Sequence, residues 1–587
     1  MSPRLRAISW LALLALAVVA GRVYLLCQSE YVYDEEEFKT GAIGAVIRAP
    51  HSLPLFDYQP GSYEGGTFLY GLLTIPFYRI IGQNFLSLKI LALITTLLTV
   101  FAAVFYARRG GGVSAAVATG LLFLWPSAFI LQTDLLVLGN YAENAMLTLV
   151  GLLFASWVLS AEKRSLFAYL ALGVLLGFGV WVHYGFLVTV ITILVLWWMI
   201  NPRFAFSSRG GAVFAGMVLG FGPWILYNAP RHWAGIRRFT EAVNKAGGLG
   251  SQITGSFKRF FLLWWEDIPA GLHFHSSSIA VVKSFSYLYY LISLACIVVL
   301  LAIYRNNLRQ MARSLRPAAP RALPDRGFWA LAPVLYLLLY ALIYSFSNYG
   351  IYLRQWGSMD PESHCHIFAL YPPLLLIAGL AFGAAWPTRW KPAAGGGLAV
   401  LLVLGVIGFM GLLTPELRPA ERLRRPIKET GVIFLEMGGK TSGDPSEMGR
   451  IQRRLDGSAL YHFVYGAGIQ FGLDYNRNLP LAFEKCSPQP ENLRPYCWFG
   501  IGTGLYQAPL IPQAKQEALS RAPENIRPWM TLGACVGNIW SGQVNAEPCP
   551  AARQMSVHDL APAAEAETLA VFIASQLVMN DARPLKK

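Results

Sequence analysis

The chain has 587 residues, of which 55% are hydrophobic and only 14% are charged. Soluble domains carry about 25% charged residues, so a soluble enzyme of ordinary composition, a disordered chain and a coiled coil are excluded. The formal charge of +15, from 48 basic against 33 acidic residues, is read as a signal of membrane orientation, and no nucleic-acid partner is expected.

Apolar runs near 20 residues recur along most of the sequence and predict a polytopic all-α membrane protein. In chain order the expected spans are about 7–27, 84–107, 113–131, 144–161, 166–183, 185–200, 211–229, 279–303, 327–346, 366–386 and 394–414, eleven in all. The first run, after MSPRLR, reads as an uncleaved anchor rather than a signal peptide. A twelfth run, 67–82, is shorter and follows a Gly/Pro/Tyr-rich stretch. If it lies in the interface instead of crossing, one set of loops collects sixteen basic residues against Glu162 and Asp325. That asymmetry sets the N-terminus inside and the segment after 414 outside. An integral protein of the bacterial inner membrane is expected.

Three outer loops follow. Residues 28–66 are acidic, with Glu30, Asp34, Glu35, Glu36, Glu37, Asp57 and Glu64 against Lys39 and Arg48. Residues 132–143 carry Asp134 and Glu143, and 230–278 is basic, with Arg231, Arg237, Arg238, Lys245, Lys258 and Arg259. Two acids on separate outer loops, Asp34 or Glu35 and Glu143, suit one cleft with a general base or a divalent cation (Mg, Mn or Ca). Asp34 and Glu143 are the candidate metal pair. A solvated acidic loop and a helix cap are the bland readings of the same residues. Arg354 and the basic stretch Arg237, Arg238, Lys258 and Arg259 suit phosphate, or equally lipid headgroups. His183, His364 and His366 fall at outer helix ends.

After 417 the composition becomes soluble in character, so 1–417 is expected to be the membrane domain and 418–587 a helical extracytoplasmic domain. Four of seven cysteines fall in the latter; by proximity Cys486 pairs with Cys497 and Cys535 with Cys549, and three connectivities are possible. Phe463–Gly472 (FVYGAGIQFG) resembles Cys497–Tyr506 (CWFGIGTGLY) at an offset of 34, with an echo from Cys535 to Gly542. The Gly-x-Gly elements lack nucleotide-loop spacing and predict a stack of helical hairpins packed through glycine. Residues 556–578 read as a last amphipathic helix.

The stretch Tyr63–Gly82 (YEGGTFLYGLLTIPFYRIIG), followed by Leu86-Ser-Leu-Lys89, and the segment His366–Pro373 (HIFALYPP) resemble motifs of GT-C fold glycosyltransferases. That superfamily includes the protein O-mannosyltransferases and the aminoarabinose transferases. The resemblance spans about 5–415. It implies transfer of a sugar from a polyprenyl-phosphate carrier to a lipid, glycan or protein acceptor at the outer face. Asp34 or Glu35 would match the family's loop-one acid and Glu143 its second-loop acid. Lys89, Arg237, Arg238, Arg354, His364 and His366 would be the donor-binding set. Two departures stand out: Tyr63-Glu64-Gly65-Gly66 replaces a His-Pro-Pro segment, and Ser363-His364-Cys365-His366 replaces an arginine at the late helix start. The competing expectations are a non-catalytic anchor presenting a partner-binding outer domain, and a lipid or solute transporter.

Overall fold

The computed structural model describes residues 3–34, 36–48, 53–59, 65–160, 164–233, 235–236, 249–272, 280–315, 324–346, 361–413, 423–427 and 431–540. Among these the regular structure is helical, with one isolated antiparallel bridge, Asn84 to Pro426. The chain divides into two compact units: Met1–Gly44 with Gly61–Ile427, and Ala45–Pro60 with Lys428–Lys587.

The first unit contains α1 (Pro3–Gln28), the start of α2 (Glu36–Arg48), α3 (Gly66–Ile80), α4 (Phe85–Leu124), α5 (Ala128–Thr133), α6 (Tyr141–Leu159), α7 (Leu166–Val182), α8 (Leu187–Ile200), α9 (Ser208–Gly220) and α10 (Gly222–Asn228). It continues with α11 (Leu249–Leu262), α12 (Ala280–Ile303), α13 (Arg305–Ser314), α14 (Arg326–Phe346), α15 (Tyr371–Ala385) and α16 (Lys391–Gly411). Among the described residues, seven helices are long and apolar enough to cross a membrane, or eight if α9 and its 46°-bent continuation Gly222–Arg231 make one span. The protein is therefore an integral membrane protein.

Each of the eleven expected runs falls on helix, with differences that have local causes. The 40-residue α4 joins two of them; straight, it would be about 60 Å long, twice the hydrocarbon thickness. It breaks at Gly112, whose φ of 80° only glycine adopts without strain. The run 113–131 stops at Leu124, because Pro126 cannot continue a helix, and a short turn, α5, resumes beyond it. α7 and Tyr184–Ile200 are apolar but shorter than the other spans. α3 is 15 residues, about 22 Å long.

Packing in lipid lacks a hydrophobic driving force between helices, so close backbone approach matters. α7 and α9 supply it reciprocally. A Cβ on Gly173 or Gly177 would lie 2.1 or 2.0 Å from the carbonyl of Val213 or Met217, and one on Gly216 or Gly220 would strike α7 in return. α15 is almost wholly buried, packed on α4 where Gly379 and Gly383 meet Thr119 and Ala115.

In the second unit, α17 (Gly431–Thr441), α19 (Gly457–Asp474), α21 (Arg494–Gln507) and α23 (Arg527–Trp540) pack each on the next, joined by α18 (Pro445–Gln452), α20 (Leu479–Cys486) and α22 (Pro512–Ser520). The repeated Gly-x-Gly explains the stacking. A Cβ on Gly466 would meet Leu435 O of the preceding helix at 1.9 Å; one on Gly468 would meet Cys497 O of the following helix at 2.2 Å. Thirty-four residues on, Gly500 meets Tyr465 O at 2.3 Å and Gly502 meets Met530 O at 2.1 Å. One glycine faces back and the other forward. The Cys486–Cys497 disulfide forms as expected, with Cα atoms 5.9 Å apart. Cys535 is also disulfide-bonded; its expected partner Cys549 and the expected helix 556–578 lie outside the described residues. Loop residue Asp57 is buried in this unit and accepts from Arg450 Nη1 at 2.8 Å, while Arg450 also grips Glu447.

Candidate functional site

The acid run after α1 becomes helix from Glu36 onward, and this start point decides which acid turns inward. Glu37 is fully buried against α4, where Lys89 is equally buried. Lys89 Nζ donates to Glu37 Oε1 and Oε2 at 2.7 and 2.6 Å, to Val32 O at 2.6 Å and to Leu135 O at 2.8 Å. The Tyr33 ring lies 4.8 Å from the ammonium. Glu37 in turn accepts from Val137 N at 2.9 Å and Asp34 N at 3.3 Å. This pair ties the loop after α1, the start of α4 and the loop before α6 into one floor. It also corrects an expectation. Lys89 has all three protons engaged within the fold and presents none to a donor phosphate.

Beside that floor stands the first turn of α6. Glu143 is 1% exposed. Its Oε1 accepts from Gly139 N at 3.2 Å; its Oε2 has no partner. Gly139 has φ 81° and lies against Gly66, where a Cβ would come within 1.5 Å of Gly139 O. The Thr67 hydroxyl donates to Leu138 O at 3.3 Å, and Gly65 N to Trp181 O at 2.8 Å. The glycines at 65 and 66, which stand where the resemblance led to a bulkier segment, thus bring the start of α3 onto both the loop before α6 and the end of α7.

His183 follows α7. Its Nδ1 accepts from Gly185 N at 2.9 Å, so this nitrogen carries no proton, and Asn144 turns its Nδ2 toward it at 3.2 Å. Tyr141 sits between two histidines, with ring centroids 6.0 Å from His183 and 4.9 Å from His366, and its hydroxyl is 3.4 Å from His366 Nε2. His366 is therefore brought to the first turn of α6 from a distant part of the chain.

The other expected residues divide. Asp34 is exposed, with its N–H on Glu37. Glu35, Arg237, Arg238 and Arg354 lie outside the described residues; His364 lies in the 3₁₀ helix Pro361–Leu370, and its side chain also lies outside them. Asp34 and Glu143, the candidate metal pair, differ in burial, and among the described residues no three His, Cys, Asp or Glu side chains are grouped to hold a metal ion. Asp134 is buried 3.7 Å from Arg22, whose guanidinium also donates to Leu124 O and Phe123 O at 2.7 and 2.9 Å. Burial pushes the Asp134 carboxyl up to about 6, against the pull of Arg22. Arg259 is held by Ser345 O and Ser256 Oγ at 2.9 and 2.8 Å.

In the sequence Glu37 stands out only as one of a run of acids, and Asn144 only as a helix-start residue. A signal existed for the first: a lone lysine at the start of an apolar helix needs a partner.

No family model matches the chain, and no curated protein matches it. Among solved structures it is similar to the archaeal oligosaccharyltransferase AglB from Archaeoglobus fulgidus, solved in complex with an inhibitory peptide and a dolichol-phosphate, at 12% identity and a TM-score of 0.40. The match covers 76% of this chain and 59% of that one, so the chain spans less than two thirds of that protein's length. A likeness this distant says nothing of activity.

Proposed function

We propose that the protein is a membrane glycosyltransferase that moves a sugar from a polyprenyl-phosphate carrier to an acceptor at the outer face of the membrane. The observation that carries this reading is the buried Glu143 carboxylate, held at one oxygen by Gly139 N and bare at the other. A carboxylate so placed can take the proton of an acceptor hydroxyl as that oxygen attacks the anomeric carbon. The new C–O bond forms as the bond to the phosphate oxygen breaks, with inversion, and the charge leaves on the lipid phosphate. Arg237, Arg238, Arg354, His364 and His366 are the groups proposed to meet that charge. The first-loop acids Asp34 and Glu35 are proposed as further catalytic carboxylates. The proposed topology has eleven crossings, the N-terminus in the cytoplasm and residues 418–587 outside, as the excess of basic residues in one set of loops favours.

Native mass spectrometry of the detergent-purified protein with a polyprenyl-phosphate sugar tests the reading. Wild type should retain the lipid and turn it over with an acceptor. Glu143→Gln should retain it with turnover reduced at least about 100-fold, the upper range of general-base catalysis being about 10⁴-fold. No retained lipid, or full turnover by Glu143→Gln, refutes the proposal.

A further inference from the structure

Buried polar atoms in folded proteins are nearly always paired, so those that are not ask for an explanation. Around the first turn of α6, besides Glu143 Oε2, three more have no partner: Asn140 Oδ1, Asn144 Oδ1 and Trp181 Nε1. Asn144 is 2% and Trp181 4% exposed. Asn140 immediately precedes α6, and Glu143 and Asn144 lie in its first turn. Trp181 closes α7 two residues before His183, which touches both Asn144 and Tyr141.

The orientation of each group is fixed by something else. Asn144 must give its Nδ2 to the unprotonated His183 Nδ1, so its carbonyl oxygen is the atom left over. Asn140 precedes α6 but its side chain makes no cap bond to it. The Trp181 indole lies against Gly65, where a Cβ would strike Cε2 and Nε1 at 2.1 Å each, so only glycine lets the ring take this position. Two amide oxygens at the start of α6 and one N–H at the end of α7 are thus left without a partner, as is Glu143 Oε2 in the first turn of α6.

That mixture selects a ligand chemistry. A metal cation has no use for an N–H donor, and a phosphate has none for carbonyl oxygens. Sugar hydroxyls both donate and accept, and satisfy all three groups. We propose that Asn140, Asn144 and Trp181 read the hydroxyl groups of the transferred sugar, holding it next to Glu143. This rests on the transferase reading above and adds which residues recognise the sugar as distinct from its lipid phosphate.

The test uses the full-length protein in lipid nanodiscs with two probes, undecaprenyl-phosphate glucose and bare undecaprenyl phosphate. Trp181→Phe removes the N–H and keeps an aromatic ring; Asn140→Ala removes one amide oxygen. Wild type should bind the sugar-bearing lipid more tightly than the bare one. Each variant should lose about five- to tenfold for the sugar-bearing lipid, the size of one neutral hydrogen bond, and nothing for the bare lipid. An unchanged preference in both variants overturns the assignment while leaving the transferase reading intact. Equal loss for both lipids also overturns it, since the side chains would then only pack the site. Binding of neither lipid by wild type removes the transferase reading and this assignment together. Thermal unfolding of each variant checks that the fold persists.

Discussion

Replacing Lys89 with methionine tests the floor of the site. The substitution keeps the length of the side chain and removes the ammonium. The Glu37 carboxylate would remain fully buried with only Val137 N–H at 2.9 Å and Asp34 N–H at 3.3 Å, and the carbonyls of Val32 and Leu135 would lose their donor. Breaking a buried pair by removing one partner costs about 3–5 kcal/mol, whereas replacing both partners is close to neutral. Lys89→Met should therefore destabilise by about 4 kcal/mol. The double variant Glu37→Gln/Lys89→Met should recover most of that, because glutamine still accepts from Val137 N–H. The coupling between the two sites comes to about 3 kcal/mol. Equilibrium unfolding in mixed micelles, followed by tryptophan fluorescence, measures all four corners of the cycle. A loss below about 1 kcal/mol for Lys89→Met, or a double variant no better than the single, would refute the reading that this pair holds three segments together.

Three further outcomes follow from the geometry. Asp134 has its folded pKa raised above the ordinary carboxylate value, so its ionisation opposes folding. Its contribution is fully favourable below about pH 4 and lost as pH rises through about 6. Asp134→Asn should erase that slope in a melting-temperature profile, and an unchanged profile would refute the shift. Gly66→Ala must push the chain away from Gly139 O and with it the N–H that holds Glu143. A misplacement of about 1 Å should lower kcat about 100-fold, while Gly211→Ala, in open space, should be silent. Cys486→Ser/Cys497→Ser opens a bridge of sequence separation 11 and should cost roughly 3 kcal/mol, read as faster amide exchange in α20 and α21.

Much of the bundle was legible because a span in lipid must be apolar along its whole length and must satisfy its own backbone. The Gly-x-Gly echo was legible too, since close helix contacts leave glycines at helical spacing, and the repeat here is one contact made twice. The site was less so. Asp34, Glu35, Glu36 and Glu37 are alike as letters, and only the start of α2 at Glu36 decides that Glu37 faces inward. Lys89 looked like a phosphate ligand because its partner sits 52 positions away. Asn140 and Asn144 read in the sequence only as part of a helix start, and Trp181 not at all. Their interest lies in bonds they fail to make, which only the surrounding packing reveals.

The membership of residues 45–60 in the second unit has a consequence in time. Asp57 finds Arg450 393 positions later in the chain. At a synthesis rate of about 5–20 residues per second, that is a wait on the order of 20–80 s. Asp57 can make this bond only after every helix of the membrane unit has been synthesised. Neither half of the protein is then a detachable module: a cut at 427 would strand Asp57, and a transplanted second unit would arrive without its own first strip of chain.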